Sequence, residues 1–64
     1  MQYKVILDPS KEGFAVSVPS LPGCHTQGET EAEALENIAN AIEEYLQVVD
    51  EMTEGKLVRY VEVA

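Results

Sequence analysis

The chain is short of the features that hold small proteins together on their own. One cysteine, Cys24, in 64 residues excludes an intramolecular disulfide, and no C-x-x-C pair or His/Cys cluster offers the spacing of a structural metal site. A lone thiol also suits a reducing compartment. Basic residues are scarce: four Lys and Arg against twelve Asp and Glu give a formal net charge of -8. A phosphate backbone repels such a surface, and the counterion release that drives nucleic-acid binding needs clustered cations, so direct binding to DNA or RNA is not expected. The electrostatic complement is a cationic protein. Long apolar runs are missing too. None approaches the ~20 residues of a membrane span, and Met1-Gln2-Tyr3-Lys4 lacks the apolar core of a signal peptide. The expectation is one soluble, cytoplasmic domain spanning residues 1–64. So small a core, with neither disulfide nor metal, leaves oligomerisation as the remaining common staple, and a homo-oligomer (a dimer or a tetramer) is expected.

What is present is a sequence of well-marked elements. Tyr3-Lys4-Val5-Ile6-Leu7 is largely β-branched and apolar, and Asp8 to Gly13 reads as a loop. Phe14-Ala15-Val16-Ser17-Val18 alternates, with Phe14, Val16 and Val18 on one face. These segments predict an antiparallel hairpin, closed off by Pro19, which cannot donate to a ladder. Cys24 to Gln27 is long enough for a third, edge strand. From Glu31 on, Ala34, Leu35, Ile38, Ala41, Ile42, Tyr45, Leu46 and Val49 recur at steps of three and four, the stripe of an amphipathic helix. Thr30 followed by Glu33 is a capping box, in which the hydroxyl accepts from the N3 amide and the carboxylate reaches back to the cap amide. Gly55 ends the helix between Val49 and Glu54. Lys56 to Val63 then reads as a last strand.

The order β-β-β-α-β, without repeats or linkers, places the class as α+β. A helix before the last strand permits a crossover, which would lay that strand parallel to the first at the sheet centre. One helix covers one sheet face. Because Val5-Ile6-Leu7 is apolar on both parities, the other face is expected to be buried in an oligomer.

From Pro19 to Ile42 the chain resembles the HicB-like antitoxin family. The family pattern begins with a strand opening on an aromatic residue or glycine, here Phe14, and continues into a P-x-L-P-G-C loop, here Pro19, Leu21, Pro22, Gly23 and Cys24. A G-x-T turn follows at Gly28 and Thr30, then a helix reading E-A-x-x-N-x-x-x-A at Glu33, Ala34, Asn37 and Ala41. With the flanking hairpin and last strand, the likeness covers nearly the whole chain. One departure is Asn40, where an acidic residue is more usual.

The resemblance implies a partial ribonuclease H-like fold, with one helix on a three- to four-stranded sheet. It also implies a non-enzymatic role as the neutralising partner of a HicA toxin, without a cofactor. That toxin is a small, basic messenger-RNA endonuclease with a double-stranded-RNA-binding-domain fold and a catalytic histidine, and the antitoxin covers its active face. Many HicB proteins add a C-terminal DNA-binding domain. The sequence stops at Ala64, after the last expected strand, so a short, solitary-domain member without operator binding is expected. Solitary family members exist, and a homo-oligomeric regulatory or scaffold module for another protein is the alternative.

Three groups of residues invite chemistry. Cys24-His25 suggests a nucleophile or metal ligand pair, but neighbours on a strand point to opposite faces, which favours a buried Cys and an exposed His. Asp8, Glu12 and Glu29 could be assembled into a carboxylate site for two-metal hydrolysis, although Asp8 and Glu12 flank a turn, the ordinary place for solvated acids. Glu36, Glu43, Glu44, Asp50 and Glu51 form either a solvated helix face or a contact patch for a basic partner. Asn37 is a poor helix former, and is either exposed or pins the incoming P-G-C loop to the helix. Tyr45 and Tyr60 are expected in the core or at a dimer interface.

Overall fold

The alternating apolar residues of Phe14–Val18 and the helical stripe after Glu31 need each other, since each is apolar on one side only. In the computed structural model, which describes residues 2–63, they pack face to face. The elements are β1 (Ile6–Ser10), β2 (Gly13–Ser17), β3 (His25–Gly28) and α1 (Glu31–Thr53), and the fold is α+β. The strands form one antiparallel sheet in the order β1-β2-β3. Val16, Val18, Cys24, Ala34 and Ile38 are buried between sheet and helix, ringed by half-buried Tyr3, Val5, Leu7, Phe14, Leu21, Ala41, Ile42 and Tyr45.

β1 lies three residues later than the run of β-branched residues suggests. The hairpin register pairs Ile6 with Ser17 and Ser10 with Gly13, so Asp8, Pro9 and Ser10 belong to the strand and only Lys11 and Glu12 turn. The Ser10 hydroxyl holds this tight turn: it accepts from Glu12 N–H at 3.2 Å and donates to Gly13 C=O at 3.4 Å. Pro9 is tolerated because of the ladder's phase. Val18 N–H donates to Cys24 C=O at 3.0 Å, and antiparallel alternation then turns Val16 and Phe14 toward β3 and Ala15 and Ser17 toward β1. The backbone groups of Leu7 and Pro9 therefore point outward, along a sheet edge with no strand partner among the described residues. A missing N–H costs nothing there.

The expected last strand is absent. Lys56–Val63 lies outside the sheet, in neither helix nor strand, with no ladder partner among the described residues. The sheet thus has three strands, with neither a parallel pair nor a crossover. Leu57 and Val61 are 83% exposed and Tyr60 97%, so Tyr60 is no part of this chain's core, whereas Tyr45 packs against it. The cause is the length of α1. Its 23 residues span roughly 34 Å at 1.5 Å per residue, while a five-residue strand such as β2 covers about 17 Å. The helix overshoots the sheet and releases the chain beyond it, and the single turn there, Lys56 N–H to Thr53 C=O at 3.0 Å, does not bring it back.

The tightest approach between layers is at Gly28. A Cβ at this position would lie 2.5 Å from the Ala34 backbone nitrogen and 2.9 Å from Ala34 Cα and from the Glu33 carbonyl carbon. The end of β3 thus rests on the first turn of α1, backbone against backbone, and Ala34 is wholly buried beneath it. Gly28→Ala is expected to destabilise the fold by about 1–3 kcal/mol or more, as overpacking does. Because the obstruction is main chain, Ala34→Gly should not rescue it; urea titration of the single and double variants checks both statements.

Candidate partner-binding surface

The motif residues from Pro19 to Asn37 converge on one junction. The loop between β2 and β3 is two consecutive turns: Leu21 N–H bonds Val18 C=O at 3.0 Å, and Cys24 N–H bonds Leu21 C=O at 2.9 Å. Each turn has proline at its second position, Pro19 and Pro22, where a fixed φ is an advantage. Gly23 follows Pro22 with φ +85°, the left-handed conformation that a type II turn demands of its third residue. The double turn folds Leu21 back onto the core and delivers Cys24 into it. His25, the next residue, is exposed on the opposite face, so the two cannot share a ligand or a proton.

At the helix start, Thr30 is extended (φ -123°, ψ 162°) and its hydroxyl accepts from Glu33 N–H at 3.1 Å. The Glu33 carboxylate reaches one residue past the cap amide of the expected box and accepts from Glu29 N–H at 3.3 Å. Asn37 Nδ2 donates to Gln27 C=O at 2.8 Å. That carbonyl belongs to the outward-facing set on β3, by the ladder phase set at Val18 and Cys24. Asn37 therefore satisfies an edge carbonyl of β3 itself, and the strand, not the P-G-C loop, is what it holds to the helix.

The acidic residues lie elsewhere. Glu36, Glu43, Glu44, Asp50 and Glu51 are all exposed on α1. Glu36, Glu43 and Asp50 are seven residues apart, as are Glu44 and Glu51. At 3.6 residues per turn they form two adjacent rows within an arc of about 120°. This arc faces away from Ala34, Ile38 and Tyr45, which look into the core. No basic residue falls within α1.

Among the described residues, three hollows border the core. The sheet face turned away from α1 carries Asp8, Ala15, Ser17, His25 and Gln27 around a shallow depression of ≈ 370 Å³. Glu12, Glu29 and Glu33 border a second hollow at the hairpin end, of ≈ 410 Å³, which does not include Asp8. The carboxylates considered for two-metal hydrolysis are thus divided between two places. No group of three or more described His, Cys, Asp or Glu side chains is arranged to hold a metal ion. The third hollow, ≈ 360 Å³, is an apolar groove between the β2–β3 loop and the overhanging half of α1, lined by Cys24, Ala41, Tyr45, Val48, Val49 and Met52. Val48 and Met52 lie outside the stripe read from the sequence. The available signal was helix length: a stripe continued to Thr53 outruns any five-residue strand.

Comparison with known proteins bears directly on this arrangement. A family model described as "HicB_like antitoxin of bacterial toxin-antitoxin system" matches residues 3–62. The chain belongs to the HicB-like antitoxin family. Among its relatives, a UPF0150 protein of Archaeoglobus fulgidus is 39% identical over 59 residues, covering 91% of this chain and 86% of the relative. A UPF0150 protein of Thermoplasma acidophilum is 50% identical over 48 residues, 73% of this chain and 70% of the relative. One from Synechocystis is 44% identical over 46 residues, 70% and 58% of the two chains. No solved structure matches the chain. For this HicB-like chain the motif is a structural signature, since its residues build turns, a cap, a close approach and one inter-element hydrogen bond. Asn37→Ala should cost about 0.5–1.5 kcal/mol, the net worth of such a bond. Hydrogen exchange should show the loss concentrated in β3, with α1 little changed.

Proposed function

We propose that this protein is an antitoxin that binds and neutralises a small, basic HicA-type mRNA-cleaving toxin by stoichiometric protein–protein contact, without catalysis or a cofactor. Family membership supports an antitoxin role in general. The observation that carries the finer reading is the acidic face of α1, where Glu36, Glu43, Glu44, Asp50 and Glu51 stand exposed on a rigid element. Such a face complements a cationic ribonuclease, attracts it over a Debye length and repels the RNA with which it competes. By the same charge argument the protein makes no direct contact with nucleic acid. No described helix is long and apolar enough to cross a membrane, and a toxin acting on messenger RNA places its antitoxin in the cytoplasm. The ribonuclease H-like form of the fold needs a strand beside β1, and Lys56–Val63 is the segment with the pattern to supply it.

A second reading is a homo-oligomeric regulatory or scaffold module for a different protein. What favours it is the large apolar surface left bare by α1 and the segment after it, from Val48 to Val63.

Titration against the product of a neighbouring gene for a small, basic, His-containing protein tests the first reading. Binding that blocks RNA cleavage is expected. Glu36→Lys, Glu43→Lys and Asp50→Lys together should slow association at least tenfold at low salt, with a smaller effect at high salt. Failure to bind or inhibit any such protein removes the toxin-neutralising role.

A further inference from the structure

The segment after α1 is the largest part of the molecule that its own fold does not use. Leu57, Arg59, Val61 and Val63 alternate with Val58, Tyr60 and Glu62, a strand pattern on both parities. Leu57, Val58, Tyr60, Val61 and Val63 are nevertheless all exposed. At the other side of the molecule, β1 presents the outward backbone groups of Leu7 along an unpaired edge that Pro9 terminates. α1 lies over β3 and β2, leaving this edge the least covered part of the sheet.

Two whole-molecule quantities bear on what is missing. The chain exposes 5635 Å², about 1,600 Å² more than the roughly 4,000 Å² of a compact 7.0 kDa monomer. Its radius of gyration is 14.2 Å, where a compact chain of this length has about 11 Å. A standard interface removes about 800 Å² from each partner, so the excess accommodates one standard interface or a larger one.

Charge points the same way. Lys56 and Arg59 against Glu62 give residues 56–63 a net charge of +1, so residues 1–55 carry the remaining -9 of the total of -8. A tail of one sign and a body of the other attract.

We propose that two copies of this chain exchange residues 57–63, each tail adding as a fourth strand to the free edge of β1 in the other copy. The exchange is isologous: each protomer offers one tail and one edge, and the pair closes without leaving either unused. It gives the outward groups of Leu7 partners and ends at Pro9, which has no N–H to offer. The two-fold arrangement also accounts for Val48, Val49 and Met52. These residues are exposed on the half of α1 that overhangs its own sheet, and a second copy crossing at the helix ends would cover them. Domain exchange through a short hinge such as Glu54–Lys56 is a low-cost route to a dimer.

The test uses the full chain and does not depend on toxin binding, so its outcome is separable from that of the antitoxin titration. Sedimentation equilibrium is expected to give twice the 7.0 kDa chain mass. In a mixture of isotope-labelled and unlabelled protein, filtered NOEs should connect Val58–Val63 of one copy to Val5–Leu7 of the other. Tyr60→Pro combined with Val61→Pro removes an N–H from either side of the tail strand, and should halve the mass while circular dichroism retains the helix. A wild-type monomer, tail contacts confined to one copy, or a dimer that survives the double proline would each overturn the exchange.

Discussion

The contact on which the rest of the molecule depends is the meeting of two backbones at Gly28 and Ala34. No side chain separates the end of β3 from the first turn of α1, so the helix starts at a fixed height above the sheet. Every longer-range feature follows from that height. Ala34 and Ile38 reach the floor of the core, Asn37 comes within 2.8 Å of the Gln27 carbonyl, and Thr30 caps the helix where it begins. The double turn from Pro19 to Cys24 serves the same junction from the other side, bringing β3 back antiparallel to β2 with Cys24 already inside. With five buried core residues among those described, a core this small cannot absorb a change in layer spacing by repacking elsewhere.

From that starting point α1 runs past the edge of the sheet, and the molecule divides into two halves of different character. The first half of the helix is a packing element. The second half is a surface element, acidic on one side and apolar on the other, with only the β2–β3 loop beneath it. Exposed acidic and apolar surface is thus concentrated where the fold has nothing left to bury, and the motif that identifies the family sits where the fold is tightest. This separation explains why a chain so heavily specified from Pro19 to Asn37 offers no converging catalytic set there. Its polar groups are occupied in turns, the cap and the strand-to-helix bond, and the Glu33 carboxylate is engaged by Glu29 N–H.

Much of the fold was legible in the residues because the relevant signals are local. Alternation in Phe14–Val18, the spacing of Ala34, Ile38, Ala41 and Tyr45, the Thr30 cap and the Pro-Gly turns act within one element or one junction. β1 was legible only as to its existence. Its register depends on the Ser10 side chain closing a two-residue turn and on which edge Pro9 occupies, and neither follows from the run Val5-Ile6-Leu7. Asn37 was readable as a residue without local reason to be helical, yet its acceptor depends on which Gln27 group the ladder leaves free. The acidic positions on α1 could be named from the sequence; their placement as two rows opposite the core follows once the helix is seated.

By itself the sequence determined the family, the three antiparallel strands' approximate places, the helix with its cap, and the excess of negative charge, because propensity, periodicity and turn chemistry are properties of short segments. Only the tertiary structure decided the fate of Lys56–Val63. That segment has a strand's pattern, but a strand exists through its neighbour's hydrogen bonds, and after the 23-residue helix it pairs with no strand of its own sheet among the described residues. The tertiary structure likewise decided that Gly28 is a point of backbone contact, since only the packing of β3 on α1 shows what a methyl group there would strike.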